Sequence, residues 1–197
     1  MIMKELKYIS LLVILFLLPS CTAETIRPIS SGEYYGFLLK SKEFLTFCIF
    51  IASQENPYWG QVISRLYYSY FAIGRIIHIG KTNKFENVKH DIVWSQSKAD
   101  VEKAYGKNLK QLRVYYDYLP EDKTNQKKKT NEDLMFILDN TQLYNKLIED
   151  ARKQMAKFYK HETEDWIEKS NLLLDEIEKE HDMLMEEIRK QSANGKR

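Results

Sequence analysis

The chain is poor in residues that interrupt helices and in cysteine. It has 7 glycines and 4 prolines in 197 residues, which argues against a sheet with many tight turns. Its 2 cysteines, Cys21 and Cys48, cannot build a disulfide framework. The net charge is only +2, so the whole molecule has little field for non-specific nucleic-acid binding. Any site for a polyanion would have to be local.

The motifs of common catalytic and cofactor sites are also missing. The sequence has no glycine-rich phosphate loop, nucleophile elbow or Cys-His pairing. Its four histidines, His78, His90, His161 and His181, are far apart and have no thiols beside them. This spacing predicts no metal site, and we expect no cofactor.

Helical periodicity is what the sequence has instead. It predicts an all-α domain, an up-and-down bundle of four to five helices with a long C-terminal helix. The pattern places helices over about 33–54 and from Pro57 to near Gly80. Residues 121–130 contain no apolar side chain, which predicts an exposed loop. One long helix is then predicted from Thr130 past Met155.

The last part of the chain, residues 161–197, is predicted to be an amphipathic helix and tail. Apolar positions recur there at alternating steps of three and four residues, interrupted by two polar ones: Ile167, Ser170, Leu174, Ile177, His181, Leu184 and Ile188. This seam suits a packed helix but is marginal for a free-standing coiled coil. The helix could lie on the bundle or on a second subunit.

The first twenty residues have the layout of an export signal. Lys4 and Lys7 precede a nearly continuous apolar run over 9–18. The run is too short to span a bilayer comfortably. Leu18-Pro19-Ser20-Cys21 resembles the lipobox of bacterial lipoproteins.

The lipobox resemblance implies that Cys21 is lipidated and becomes the first residue of the mature protein. Residues 21–32 would then be a tether, and the protein would be a membrane-anchored lipoprotein of the cell envelope. The alternative is a buried N-terminal helix in a cytoplasmic protein.

The helix after Pro57 has two chemically different faces. Residues of the first face form a predicted core stripe: Trp59, Ile63, Leu66, Tyr70, Ile73 and Ile77. The other face carries Arg65, Tyr68 and Arg75, which could form a phosphate or nucleotide cleft with Arg113. The competing interpretation is that these side chains satisfy carbonyls or carboxylates inside the bundle, which is the commoner use of inter-helix arginine.

Two segments together resemble the HEPN superfamily of bacterial helical-bundle domains. They are Ser64-Arg65-Leu66-Tyr67-Tyr68-Ser69-Tyr70-Phe71 and Leu112-Arg113-Val114-Tyr115-Tyr116-Asp117-Tyr118, and we assign residues 33–160 to this bundle. Many family members are metal-independent ribonucleases with an arginine followed, after four to six residues, by histidine. Here Tyr118, Leu119 and Pro120 stand where that histidine belongs. The resemblance therefore implies a degenerate member without the catalytic pair.

Two functions follow as expectations. The favoured one is a non-catalytic, lipid-anchored interaction domain that binds a protein partner or a second copy of itself. The alternative is an RNA- or nucleotide-acting, ribonuclease-type HEPN domain with an altered site, in which His90 approaches Arg113 and Asp117. Against that site, Arg113 and Asp117 lie one helical turn apart, where an internal ion pair is routine. An exported lipoprotein also meets little RNA, so nucleic acid is not the favoured partner.

Overall fold

A computed structural model of the protein describes residues 28–83, 93, 108, 110–113, 123–161 and 164–194. Five α-helices lie in these ranges: α1 Ser31–Ala52, α2 Trp59–Thr82, α3 Lys123–Asp139, α4 Thr141–Phe158 and α5 Glu164–Asn194. A short 3₁₀ turn, Tyr159–His161, joins the last two. The described ranges contain no strand. The predicted all-α bundle is confirmed, and so is its long C-terminal helix, which has 31 residues.

A capping box fixes the start of α1. The Ser30 hydroxyl accepts a hydrogen bond from the Glu33 N–H at 3.3 Å, and a Glu33 carboxylate oxygen accepts one from the Ser30 N–H at 3.1 Å. These bonds satisfy donors that have no partner within the helix. The helix consequently begins at Ser31 and ends at Ala52, within two residues of the predicted bounds.

Helix α2 is the centre of the bundle, packed against α1 and α4. Its predicted core stripe is buried except for Trp59, which is partly exposed. Ile63, Leu66 and Ile73 are fully inaccessible to solvent. The opposite stripe is not freely exposed either, because Arg65 and Tyr68 are only partly accessible. Both faces of this helix are thus covered at least in part: the first forms core, and the second carries partly buried polar side chains.

The glycine near the end of α2 has a packing role. The predicted stop was Gly80, but the helix continues to Thr82 and ends at Asn83, a left-handed residue with φ 53°. At Gly80 helix α4 comes very close. A Cβ there would lie 2.6 Å from Gln154 Cβ and 3.0 Å from the Tyr34 hydroxyl. Only glycine leaves room for this approach.

The prediction of a loop over 121–130 is wrong from Lys123 onward, where α3 begins. The error has a simple cause. A run without apolar residues indicates that a segment is not part of the core, but lysine and glutamine are good helix formers. Such a run can therefore continue the backbone of a helix beyond its core contacts.

The prediction of one long helix after Thr130 is also wrong, because the helix is interrupted by a turn at Asn140. The Asn140 side-chain amide donates to the Phe136 carbonyl at 2.8 Å. The Thr141 hydroxyl donates to the Leu138 carbonyl at 2.8 Å. Side chains thus take carbonyls that a continuing helix would have used, so α3 ends at Asp139 and α4 begins at Thr141.

Helix α5 lies on the bundle, where it packs against α1, α3 and α4. Most of its predicted seam is fully buried: Ser170, Leu174, Ile177, His181, Leu184 and Ile188. The Arg152 guanidinium on α4 also pairs with Asp175 at 2.6 Å and Glu178 at 2.5 Å. The apolar side of α5 is consequently occupied by its own chain.

Candidate functional site

The structure describes four of the seven residues that the sequence singled out, namely Arg65, Tyr68, Arg75 and Arg113. The other three, Cys21, His90 and Asp117, lie outside the described residues. Of the two HEPN-like segments, the first lies on α2, and only Leu112 and Arg113 of the second are described.

Arg113 lies against α2, where it donates from Nη1 to the Tyr68 hydroxyl at 2.6 Å. Its guanidinium carbon is 5.5 Å from the centre of the Tyr67 ring and 5.4 Å from that of Tyr68. A guanidinium over an aromatic face is attracted by the negative charge of the ring. Arg113 is thus positioned by two neighbouring tyrosines of α2.

Arg65 lies over two phenyl rings of α1. Its guanidinium carbon is 5.9 Å from the ring centres of both Phe44 and Phe47. The Phe44 ring is in turn 5.7 Å from Tyr68. Arg65 and Arg113 consequently flank one aromatic pair, and Arg65 has no ion pair or hydrogen bond with any described residue.

Arg75 lies on a different part of α2 from Arg65 and Tyr68. Its guanidinium carbon lies 4.5 Å from the Phe37 ring centre, and burial lowers the pKa of the guanidinium. Ten residues separate it from Arg65, which is about 15 Å along a helix. The structure therefore groups Arg65, Tyr68 and Arg113 and leaves Arg75 outside that group.

Beside Arg65 the surface is aromatic. Phe47, Phe50 and Tyr58 are 44%, 64% and 57% exposed, at the end of the hairpin where α1 meets α2. We call these three residues and Arg65 the aromatic patch. Aromatic residues and arginine are the types enriched in protein interfaces.

A buried group on three helices was missed by sequence reasoning. Tyr70 of α2, Tyr144 of α4 and His181 of α5 stack, with ring centres 4.5 Å apart for the tyrosines and 3.8 Å apart for Tyr144 and His181. The Tyr70 hydroxyl and His181 Nε2 share a hydrogen bond of 2.6 Å. Burial, with a smaller effect of Arg189, lowers the pKa of His181 to about 3. The imidazole is therefore neutral near pH 7.

Two serines continue this polar centre. The hydroxyls of Ser41 and Ser69 are 2.8 Å apart across α1 and α2. Burial raises the pKa of Tyr144, an effect that the neighbouring hydroxyls of Ser69 and Ser41 partly offset. All of these side chains are fully or almost fully buried. The sequence signals for them were the polar seam position 181 and small polar residues on otherwise buried helices.

Cys48 occupies the interior of the bundle. Its side chain is fully buried, and its thiol donates to the Val62 carbonyl at 3.3 Å. Burial raises the pKa of the thiol, which keeps it protonated and unreactive. In the described part of the chain, no group of three or more His, Cys, Asp or Glu side chains could hold a metal ion.

Comparison with family models, curated proteins and solved structures found no match to this chain. The HEPN resemblance therefore stays a prediction carried by the two segments themselves. No helix among the described residues is both long and apolar enough to cross a bilayer.

Proposed function

We propose that this protein is a non-catalytic helical interaction domain, held at a membrane surface by a lipid on Cys21, that binds a protein partner or a second copy of itself. It would be a HEPN-like bundle that uses its surface rather than an active site.

One observation carries the proposal: the cationic residues offered as ligand-binding groups take part in packing between segments. Arg113 donates to the Tyr68 hydroxyl, and Arg75 lies on Phe37. Arg65 spans Phe44 and Phe47. Arginines in such contacts hold segments in place.

The surface supports the same proposal. Monomeric proteins rarely group large exposed aromatic side chains, and such groups commonly mark interaction sites. Phe50 and Tyr58 are each more than half exposed at one end of the α1–α2 hairpin. Phe47, the third aromatic residue of the patch, lies under Arg65, whose charge no described carboxylate neutralises.

Metabolic labelling with palmitate tests the anchor. The wild-type chain is expected to incorporate lipid, and Cys21→Ser is expected not to. Thiol counting on the unfolded wild-type protein gives an independent answer, because Cys21 and Cys48 are the 2 cysteines of the chain. One reactive thiol per chain is expected if Cys21 carries lipid, and two thiols with no label would refute the anchor.

Incubation of the purified protein with single-stranded RNA tests the alternative. The proposal predicts no cleavage, and His90→Ala should leave RNA intact just as the wild type does. Cleavage that is lost in both His90→Ala and Arg113→Ala would instead establish the altered ribonuclease site.

A further inference from the structure

We propose that the aromatic patch is the contact surface of a symmetric dimer, with Arg65 of each chain opposite Glu43 of the other. This inference rests on the proposed function, since it names a second copy of the chain as the partner. It is argued from residues of α1 and α2 alone.

The first argument is that the other candidate surface for self-association is already buried within the same chain. The heptad-like side of α5 was the sequence-based candidate for a contact with a second subunit. Its residues Leu174, Ile177 and Leu184 are fully buried against the same chain. A partner would therefore have to bind elsewhere.

The second argument is that the patch and the neighbouring Glu43 together carry both charges needed for a twofold contact. In a symmetric interface, the same surface faces itself, so a residue i that contacts j is matched by j contacting i. Glu43 is exposed and precedes Phe47 by one helical turn. Arg65 lies over that same Phe47 ring. A cation and an anion are thus both neighbours of one exposed phenyl group.

The third argument is that neither charge has an ion-pair partner among the described residues. The described structure gives Arg65 and Glu43 no ion pair, with each other or with another residue. Other α1 side chains do find partners, since Lys42 pairs with Glu176 at 2.6 Å and Thr46 bonds Glu180 at 2.7 Å. A twofold axis near Phe47 and Phe50 would pair both charges twice and cover the aromatic rings.

Charge reversal tests this arrangement in the full chain, purified in a mild detergent and measured by sedimentation velocity at about 1 to 100 µM. The wild type is expected to form a dimer. Arg65→Glu and Glu43→Arg should each weaken it by at least about a hundredfold in Kd, since each places like charges opposite one another at two symmetric points.

Mixing the two single variants is the decisive experiment, because it tests whether Arg65 and Glu43 face each other across the dimer. A chain with Arg65→Glu has two acids on the patch, and a chain with Glu43→Arg has two bases, so the mixture should form a heterodimer although neither variant dimerises alone. The double variant carrying both changes should dimerise like the wild type.

Lys179→Glu and Glu168→Arg reverse charges on the exposed face of α5 and serve as matched controls. Helix content by circular dichroism confirms that each variant is folded.

A wild-type protein that stays monomeric throughout this range would overturn the dimer, as would a dimer that both single variants preserve. Neither result would refute the proposed function, because palmitate labelling and binding of a different protein would be unaffected. Loss of labelling with a dimer that responds as expected would refute the anchor alone.

Discussion

His181 makes the stability of this protein dependent on pH in a way that can be isolated by one substitution. The imidazole lies among three helices, hydrogen-bonded to Tyr70 and stacked on Tyr144, and burial lowers its pKa from the ordinary 6.5 to about 3. The charged group that also acts on it is Arg189, which disfavours a second positive charge. His181→Gln removes the titration and keeps a polar side chain that can reach the Tyr70 hydroxyl.

The sign follows from which state binds the proton. Between pH 6.5 and about 3 the unfolded chain protonates this histidine and the folded chain does not, so acid stabilises the unfolded state. One pKa unit corresponds to about 1.4 kcal/mol. The penalty is near zero above pH 7, about 2 kcal/mol at pH 5, and about 5 kcal/mol below pH 3, where it is complete.

Urea unfolding followed by circular dichroism at pH 7 and at pH 5 measures this effect. The wild-type protein should lose about 2 kcal/mol more of its unfolding free energy over that interval than His181→Gln does. Other acid-sensitive groups are common to both proteins and cancel in the comparison. If the two proteins lose the same amount, burial among the three helices does not hold the imidazole neutral, and this account of His181 is wrong.

Three further predictions concern packing and charge. Gly80→Ala should destabilise the fold by about 1–3 kcal/mol because the added Cβ would meet α4. Gly36→Ala is the control: a Cβ there meets nothing within 4 Å, so it should stabilise the fold by up to about 1 kcal/mol. Equal shifts of the two variants in thermal unfolding would contradict the close approach at Gly80. Cys48 should resist thiol reagents in the folded protein and react fully in urea, and rapid labelling under native conditions would contradict its burial. Arg152→Ala should cost about 1 kcal/mol, and less in 1 M salt, since its guanidinium holds two carboxylates of α5; a cost that is independent of salt would show that charge is not the cause. Lys169→Ala, which breaks a pair within one helix, is the control.

The helices with strong apolar periodicity could be predicted from the sequence. α1 and α2 begin and end within about two residues of their predicted bounds, because a capping serine, Pro57 and regular apolar spacing all act locally. The buried seam of α5 was predicted for the same reason, except that Ile167 is only partly buried. Local rules and tertiary packing agree in these elements.

The errors arose where the signal was a side-chain hydrogen bond or a missing contact. Asn140 and Thr141 end one helix and begin the next by bonding to backbone carbonyls, although apolar spacing continues across them. The polar run over 121–130 predicts a loop because it has no core residues, yet its backbone is helical from Lys123. Apolar periodicity indicates which residues are buried, but it does not indicate where a helix ends or where it continues.

The candidate residues were found only in part for a related reason. Arg65, Tyr68 and Arg113 could be proposed together because their spacing and residue types resemble a known pattern, and the structure does bring them to one aromatic pair. Arg75 shares their helical face but lies too far along the axis. The stacking of Tyr144 on His181 joins residues 37 positions apart in sequence, and no local pattern records a contact over that distance.

The polar residues of the α5 seam explain how one helix can bind so many neighbours in a single register. Ser170 donates to the Tyr159 hydroxyl at 3.4 Å, and His181 bonds Tyr70 three turns further along. If α5 slipped by one turn, both polar groups would be buried without their partners, and each would cost about 1–3 kcal/mol. Leucine or isoleucine at these positions would suit several registers about equally well. The interruptions that made the seam marginal as a coiled coil therefore suit it to its place on this bundle.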